Sequence, residues 1–214
     1  MTERTVEPGG EPDSLRRRLA ARDVSALGEL FALHHERLLQ FIRFRLDPRL
    51  QARIDPDDVL QDAYIDCEKR IESFDYEKAT TAYVWIRMVV GQTLTDLHRR
   101  HVEAKARGVG REAYFGDVPA ASSAAISQRF VAKLTSPSGM AMRSELEALV
   151  ERTLREMDPI DREMLVLRNF EEVGNAEAAQ ILGLPESTAS SRYLRALAKL
   201  RAVLQKASGG GGHG

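Results

Sequence analysis

Near the C-terminal end of this chain, hydroxyls and cations recur along one side of a helix. In residues 186–201, ESTASSRYLRALAKLR, the side chains Ser187, Thr188, Ser191, Arg192, Arg195 and Lys199 face one way, and no acid follows Glu186. Arg offers a planar donor fork that matches guanine edges, while Ser and Thr bond to bases or to phosphates. Lys199, Arg201 and Lys206 extend the positive charge toward backbone phosphates. That is chemistry for reading a duplex.

The elements needed to position these residues are also legible. Ala189, Tyr193, Ala196, Leu197, Leu200 and Leu204 form the opposite, apolar stripe of the same helix, which Pro185 or Glu186 begins. Asn175 stands where it could cap a short helix running through Leu182, and Ala179 is small where two helices must cross. Gly183 supplies the left-handed turn between the two helices. Helix, glycine turn and longer helix make a helix-turn-helix, whose second helix lies in the major groove. An ordinary bundle with a solvated face would carry the same pattern, so the flanking sequence has to decide. Upstream, Leu146, Leu149, Val150, Leu154 and Met157 share a face. Asp158-Pro159 then restarts the chain, and Met164, Leu165, Leu167 and Phe170 pack a further helix.

A second constellation has the opposite sign. Asp55-Pro56-Asp57-Asp58 reads as an N-cap, a proline at the first helical position and acids at the positive helix end. Capping explains those acids but not Gln61 and Asp62 deeper in the helix, which alternate with Val59, Leu60, Ala63 and Tyr64. Acids interleaved with apolar residues suit fast, oriented association with a basic partner. A preceding helix is expected from about Ser25 to Leu46, ended by Asp47-Pro48. A following one is expected from about Thr81 to Arg99-Arg100, with Val84, Trp85, Met88, Val89, Leu94 and Leu97 as its apolar members. Tyr76, Tyr83 and Trp85 could stack on unpaired bases, the Gln92 amide could read a base edge, and Arg99 and Arg100 could track phosphates. A lone Trp or Tyr on a helix serves equally well as core.

The totals frame these patches. The chain has 214 residues, net charge −1, 29% charged and 6% aromatic residues. With few β-branched runs, this predicts an all-α protein, and any nucleic-acid contact must come from segregated patches. The single Cys67 excludes an intrachain disulfide and suits a reducing, cytoplasmic location; no signal-peptide pattern or membrane-length apolar run is visible. We expect two small helical domains joined by a long flexible linker, the C-terminal one a helix-turn-helix. The boundaries are 1–24 disordered, 25–104 the first domain, 105–142 linker (with a short helix near Ile126–Leu134), 143–206 the second domain and 207–214 a flexible tail. The histidines His34, His35, His98 and His101 lack partners at metal-ligand spacing, and no P-loop, cofactor turn or nucleophile elbow occurs. No catalytic residue, cofactor or metal is expected.

Both constellations resemble one family. Met157-Asp158-Pro159, Asp161–Arg168, Ala176-Glu177, Ala179, Ile181–Leu184, Thr188 and Ser191-Arg192 resemble the fourth region of sigma-70-type transcription initiation factors, especially the extracytoplasmic-function group. Ala178 and Ala189 stand where that family usually has larger aliphatics. Asp57–Tyr64 resembles its acidic motif, and Thr81–Arg100 resembles its element for the −10 region, with Trp85, Val89, Gln92, Asp96, Arg99 and Arg100 in register and Gln92 replacing the usual Asn.

The resemblance implies three surfaces. Asp57, Asp58, Leu60, Gln61, Asp62 and Tyr64 would bind core RNA polymerase through its largest subunit. Tyr76, Tyr83, Trp85, Gln92, Asp96, Arg99 and Arg100 would serve the −10 region and its melting. Ser187, Thr188, Ser191, Arg192, Arg195 and Lys199 would read the −35 element of promoter DNA. It also implies nucleoid association with polymerase and regulation by an anti-sigma factor or a kinase. Thr135 and Ser136-Pro137-Ser138 resemble a segment of planctomycete-like sigma factors, where a phosphorylatable serine is expected. A helix-turn-helix regulator acting without core polymerase is the alternative; it would not require the acidic helix.

Overall fold

In the computed structural model the described residues are 11–75, 81–100, 114–115, 118–134 and 140–209. They fall into two compact units that divide between Pro119 and Ala120.

The first unit is built on three long helices, α2 (Val24–Arg45), α4 (Pro56–Lys69) and α5 (Ala82–His98). Shorter pieces complete it: α1 (Asp13–Ala20), α3 (Pro48–Gln51), a 3-10 turn (Ile71–Ser73), and the strands β1 (Tyr114–Phe115) and β2 (Val118–Pro119), which pair antiparallel. Leu27, Leu30, Leu38, Phe41 and Ile42 of α2 meet Val59, Ala63 and Cys67 of α4 and Ile86, Val89, Val90 and Leu94 of α5 in one apolar core. Burial pushes the Cys67 thiol up to about 12, so it stays a protonated packing group at neutral pH. His34 also lies on the buried face.

The N-terminal segment differs from expectation. Residues 13–20, predicted disordered, form α1 and bury Leu15 and Leu19 against α2. Eight residues cannot hold a helix alone, so periodicity gives a weak signal there and packing decides. Charge secures the corner: Arg18 pairs with Asp23 at 2.8 Å and Glu29 at 2.9 Å. Asp23 also caps α2 by accepting from the Ser25 N–H, and bonds to the Ser25 hydroxyl and Arg18 hold its carboxyl at about 2. Glu11, just before α1, reaches α5. Its carboxylate accepts from the N–H groups of Ala82 and Tyr83, the first residues of that helix, and lies 3.1 Å from His34 Nε2.

The second unit holds α6 (Ser123–Leu134), α7 (Met140–Arg155), α8 (Pro159–Asn169), α9 (Asn175–Leu182) and α10 (Glu186–Gly209). Its first helix lies in the segment predicted as flexible linker. The short helix expected near Ile126–Leu134 begins three residues earlier and is part of the fold: Ile126 and Val131 are buried and α6 packs on α7. Phe130 meets Phe170 edge-on at 5.0 Å, and Lys133 caps that ring while donating to the Asn169 carbonyl at 3.0 Å. Scattered Gly, Pro and Ser around α6 hide its short apolar stripe in the sequence.

Candidate nucleic-acid interface

The helix-turn-helix is α9, Gly183 and α10. Gly183 has φ 63°, the left-handed conformation that a β-carbon disfavours. Its N–H donates to the Gln180 carbonyl at 3.2 Å, and the Leu184 N–H to the Ala179 carbonyl at 2.9 Å, closing the end of α9. The start of α9 corrects the predicted cap. Gly174 takes the N-cap position and its N–H donates to the Glu177 carboxylate at 2.9 Å. Asn175 is already inside the helix, and its amide donates to the Glu186 carbonyl at 3.1 Å, tying α9 to the first residue of α10. Ala178 and Ala189, small for the family, are both fully buried.

Along α10, Ala189, Ala196 and Leu200 are buried, and Tyr193 and Leu197 are half-buried, as the stripe requires. Ser187, Ser191, Arg195 and Lys199 are exposed, and Thr188 is half-buried. Arg192 is the exception. Instead of facing outward it lies 2.7 Å from Asp161 and 3.3 Å from Asp158, both of α8 or its cap. Asp161 is buried, and Arg195 reaches within 4.0 Å of it while staying 57% exposed. Arg192 is therefore held as a strut between helices. Its spacing on α10 gave no sign of this, because the partner lies 31 residues away. Burial raises the Asp158 carboxyl, but backbone N–H groups and Arg192 outweigh that, leaving it below its usual value. Sequence reasoning also missed Leu194, which is 65% exposed on the face shared with Ser187, Ser191 and Arg195.

The acidic helix α4 starts as predicted, with Asp55 accepting from the Asp57 N–H at 2.9 Å and Pro56 in the first turn. Asp58, Gln61 and Asp62 are exposed, and among the described residues neither Asp58 nor Asp62 has an ion-pair partner. Asp57 is half-buried with His35 at 3.2 Å. Leu60 departs from a contact role, whereas Tyr64 keeps part of its side chain at the surface. Leu60 is buried in the core, and Tyr64 is half-buried with its ring edge-on to Phe31 at 5.1 Å. Ile65, 47% exposed, stands on this face one turn beyond Gln61 and Asp62.

On α5 the aromatics turn inward. Tyr83 is fully buried, its ring 4.9 Å from His34 and covered by the Arg37 guanidinium at 3.8 Å. Trp85 is buried against Phe74 at 5.4 Å. Neither offers a ring to a base, which corrects the base-stacking expectation for both; Tyr76 lies outside the described residues. His98 also turns inward, accepting from the Asp47 N–H at 3.3 Å, not joining the basic surface. The outer row of α5 is Met88, Gln92 and Asp96 at spacings of four; Arg100, just past the helix end, continues it, with the C-cap Arg99 beside it. Met88, expected in the core, is 49% exposed, so it supplies the apolar surface in that row. Gln92 is half-buried and accepts from Arg70 on the neighbouring helix end. Arg99 lies 3.8 Å from Asp96, and Arg100 donates to the Asp96 carbonyl.

No group of His, Cys, Asp or Glu among the described residues could hold a metal, and no helix there is long and apolar enough to cross a membrane. A capped helix-turn-helix, together with a separate unit bearing an acidic helix face and an Arg-ended helix, defines a helical DNA-binding protein of two parts. Comparison with known proteins agrees. Residues 30–103 match the family model for sigma-70 region 2, and residues 147–200 match that for sigma-70 region 4. RNA polymerase sigma factor NccH of Alcaligenes xylosoxydans xylosoxydans is 30% identical over 96% of this chain and 98% of its own length. Sigma factor CnrH of Cupriavidus metallidurans is 31% identical over 90% and 96%. ECF sigma factor SigM of Mycobacterium tuberculosis is 30% identical over 86% and 80%. A solved structure of CnrH in complex with the cytosolic domain of CnrY superposes with TM-score 0.52 at 25% identity, over 90% of this chain and 96% of that one. The chain belongs to the sigma-70 family of RNA polymerase sigma factors, in its extracytoplasmic-function group. That family is not a class of enzymes. These relatives lend no support to the planctomycete-like resemblance of residues 135–138, which lie outside the described residues.

Proposed function

We propose that this sigma factor binds core RNA polymerase through the exposed α4 face and carries it to promoters that its two units read at separate elements. The observation that carries the proposal is the sorting of charge. Asp58 and Asp62 stand exposed without cationic partners among the described residues, beside Gln61 and Ile65, whereas Arg195 and Lys199 of α10 and Arg99 and Arg100 at the end of α5 are exposed cations. An acidic face with an apolar centre suits a basic protein partner, and the cationic helices suit phosphates.

In this reading α10 enters the major groove at the −35 element, with Ser187, Ser191, Leu194 and Arg195 toward base edges and Lys199 toward the backbone. The outer row of α5 holds the melted −10 strand: Met88 gives an apolar surface, Gln92 reads a base, and Arg99 and Arg100 track the phosphates. The chain has no catalytic role of its own and acts in the cytoplasm at the nucleoid. The likeness to CnrH, solved with the cytosolic domain of CnrY, supports a regulatory protein partner for this chain as well.

Run-off transcription with purified core enzyme tests the whole reading. Promoter-dependent transcript is expected; its absence, with DNA binding retained, would make the chain a regulator that works without polymerase. Reversing Asp58 and Asp62 to Lys should remove association with core enzyme in a pull-down. Retained association would make that helix face structural only.

A further inference from the structure

The Gln92 amide is not free to choose its orientation. Its Oε1 accepts a hydrogen bond from Nη1 of Arg70, the C-cap residue of α4. A guanidinium has donors only, so the amide must turn its oxygen toward it. The backbone of Arg70 is itself pinned. Its N–H donates to the Cys67 carbonyl at 3.1 Å, and its own carbonyl accepts from the Ser73 N–H at 2.7 Å and the Ser73 hydroxyl at 2.6 Å. On α5 the next residue, Thr93, donates to Asp66 of α4 at 3.2 Å, which fixes the two helices at this level. The Gln92 Nε2 makes no hydrogen bond within the described residues.

We propose that Arg70 is a positioning residue that sets which base Gln92 accepts, disfavouring adenine and favouring bases rich in acceptors. This rests on the reading of α5 as the −10 surface. An unconstrained amide pairs with adenine through both of its ends, oxygen to the N6 amino group and N–H to a ring nitrogen. Here one lone pair of the oxygen is engaged, and the cation beside the other repels an amino group. Two N–H donors remain to be offered. Each suits a single acceptor, such as O2 of cytosine or O6 of guanine, and the guanidinium charge attracts keto oxygens. An Asn or Gln without such a partner would lack this bias.

The test uses holoenzyme formed with core RNA polymerase and fork-junction promoter DNA. The DNA carries the sequence that this holoenzyme retains from a random pool, with each −10 position of the non-template strand then varied through all four bases. Wild type should disfavour adenine at one position by about fivefold or more. Arg70→Ala should bring adenine up to the level of the preferred base there, and Arg70→Lys should keep part of the discrimination. Gln92→Glu, which keeps the partner of Arg70 and so the local fold but loses both N–H donors, should abolish the preference for acceptor-rich bases. If Gln92→Glu and Gln92→Ala leave every base preference intact, Gln92 does not read DNA and the α5 surface itself is misassigned. If both Gln92 variants flatten the preference while Arg70→Ala leaves the adenine penalty unchanged, α5 stands and the role of Arg70 is overturned.

Discussion

At the scale of single residues, a charged side chain is defined by what lies within a few ångströms. Arg192 and Arg195 look alike in sequence, three positions apart on one helix. Asp161 separates them: buried in α8, it holds Arg192 at 2.7 Å and leaves Arg195 loosely placed at 4.0 Å. A cation already neutralised inside the protein releases no counterion when DNA arrives, whereas an exposed one does. Arg195→Ala should therefore lower the slope of log affinity against log salt by about one, measured with holoenzyme on promoter DNA. Arg192→Ala should weaken binding across all promoter sequences while leaving that slope near wild type. A fall of similar size for Arg192→Ala would mean that the arginine leaves Asp161 for a phosphate.

At the scale of elements, the turn between α9 and α10 fixes where the reading helix begins. Gly183 has φ 63°, and a β-carbon added there would meet nothing within 4 Å. A side chain at this position therefore costs only backbone strain, with no clash to add. Gly183→Ala should destabilise the C-terminal unit by about 1 kcal/mol in urea unfolding. Gly183→Asn should cost less, because Asn tolerates the left-handed region. Equal stability for Ala and Gly would mean that the turn adopts another conformation in solution. Asn175 joins the same corner by donating to the Glu186 carbonyl, so the two helices are linked by a side chain as well as by the turn.

At the scale of the whole molecule, each unit has its own apolar core, and α6 belongs to the second. Two cores need not melt together. Trp85 is the only tryptophan and is buried in the first unit, so its fluorescence reports that unit alone. Ile126 is fully buried in α6, and Ile126→Ala should cost about 2–5 kcal/mol of stability. The helical CD signal of the second unit should then be lost at lower denaturant, with the Trp85 transition unmoved. A matching shift in both signals would mean that the units unfold as one. A truncated chain starting at Arg143, the expected domain boundary, should be unstable for the same reason.

By itself the sequence determined what local chemistry can determine. Asp55-Pro56 and Asp158-Pro159 announced the starts of α4 and α8, Gly183 announced the left-handed turn, and the 3.6-residue stripes announced the long helices. A cap, a proline or a glycine acts on its own neighbours, so its effect is written within a few residues. Tertiary structure alone decided which polar and aromatic side chains reach solvent. Tyr83 and Trp85 went to the core and Met88 to the surface, although all three lie on one helix whose apolar stripe is broad. Arg192 was claimed by Asp161, Gln92 by Arg70, and the residues of α1 by α2. Those partners lie from tens of residues away to the far side of a turn, and the free energy of each contact exists only once the chain has brought them together.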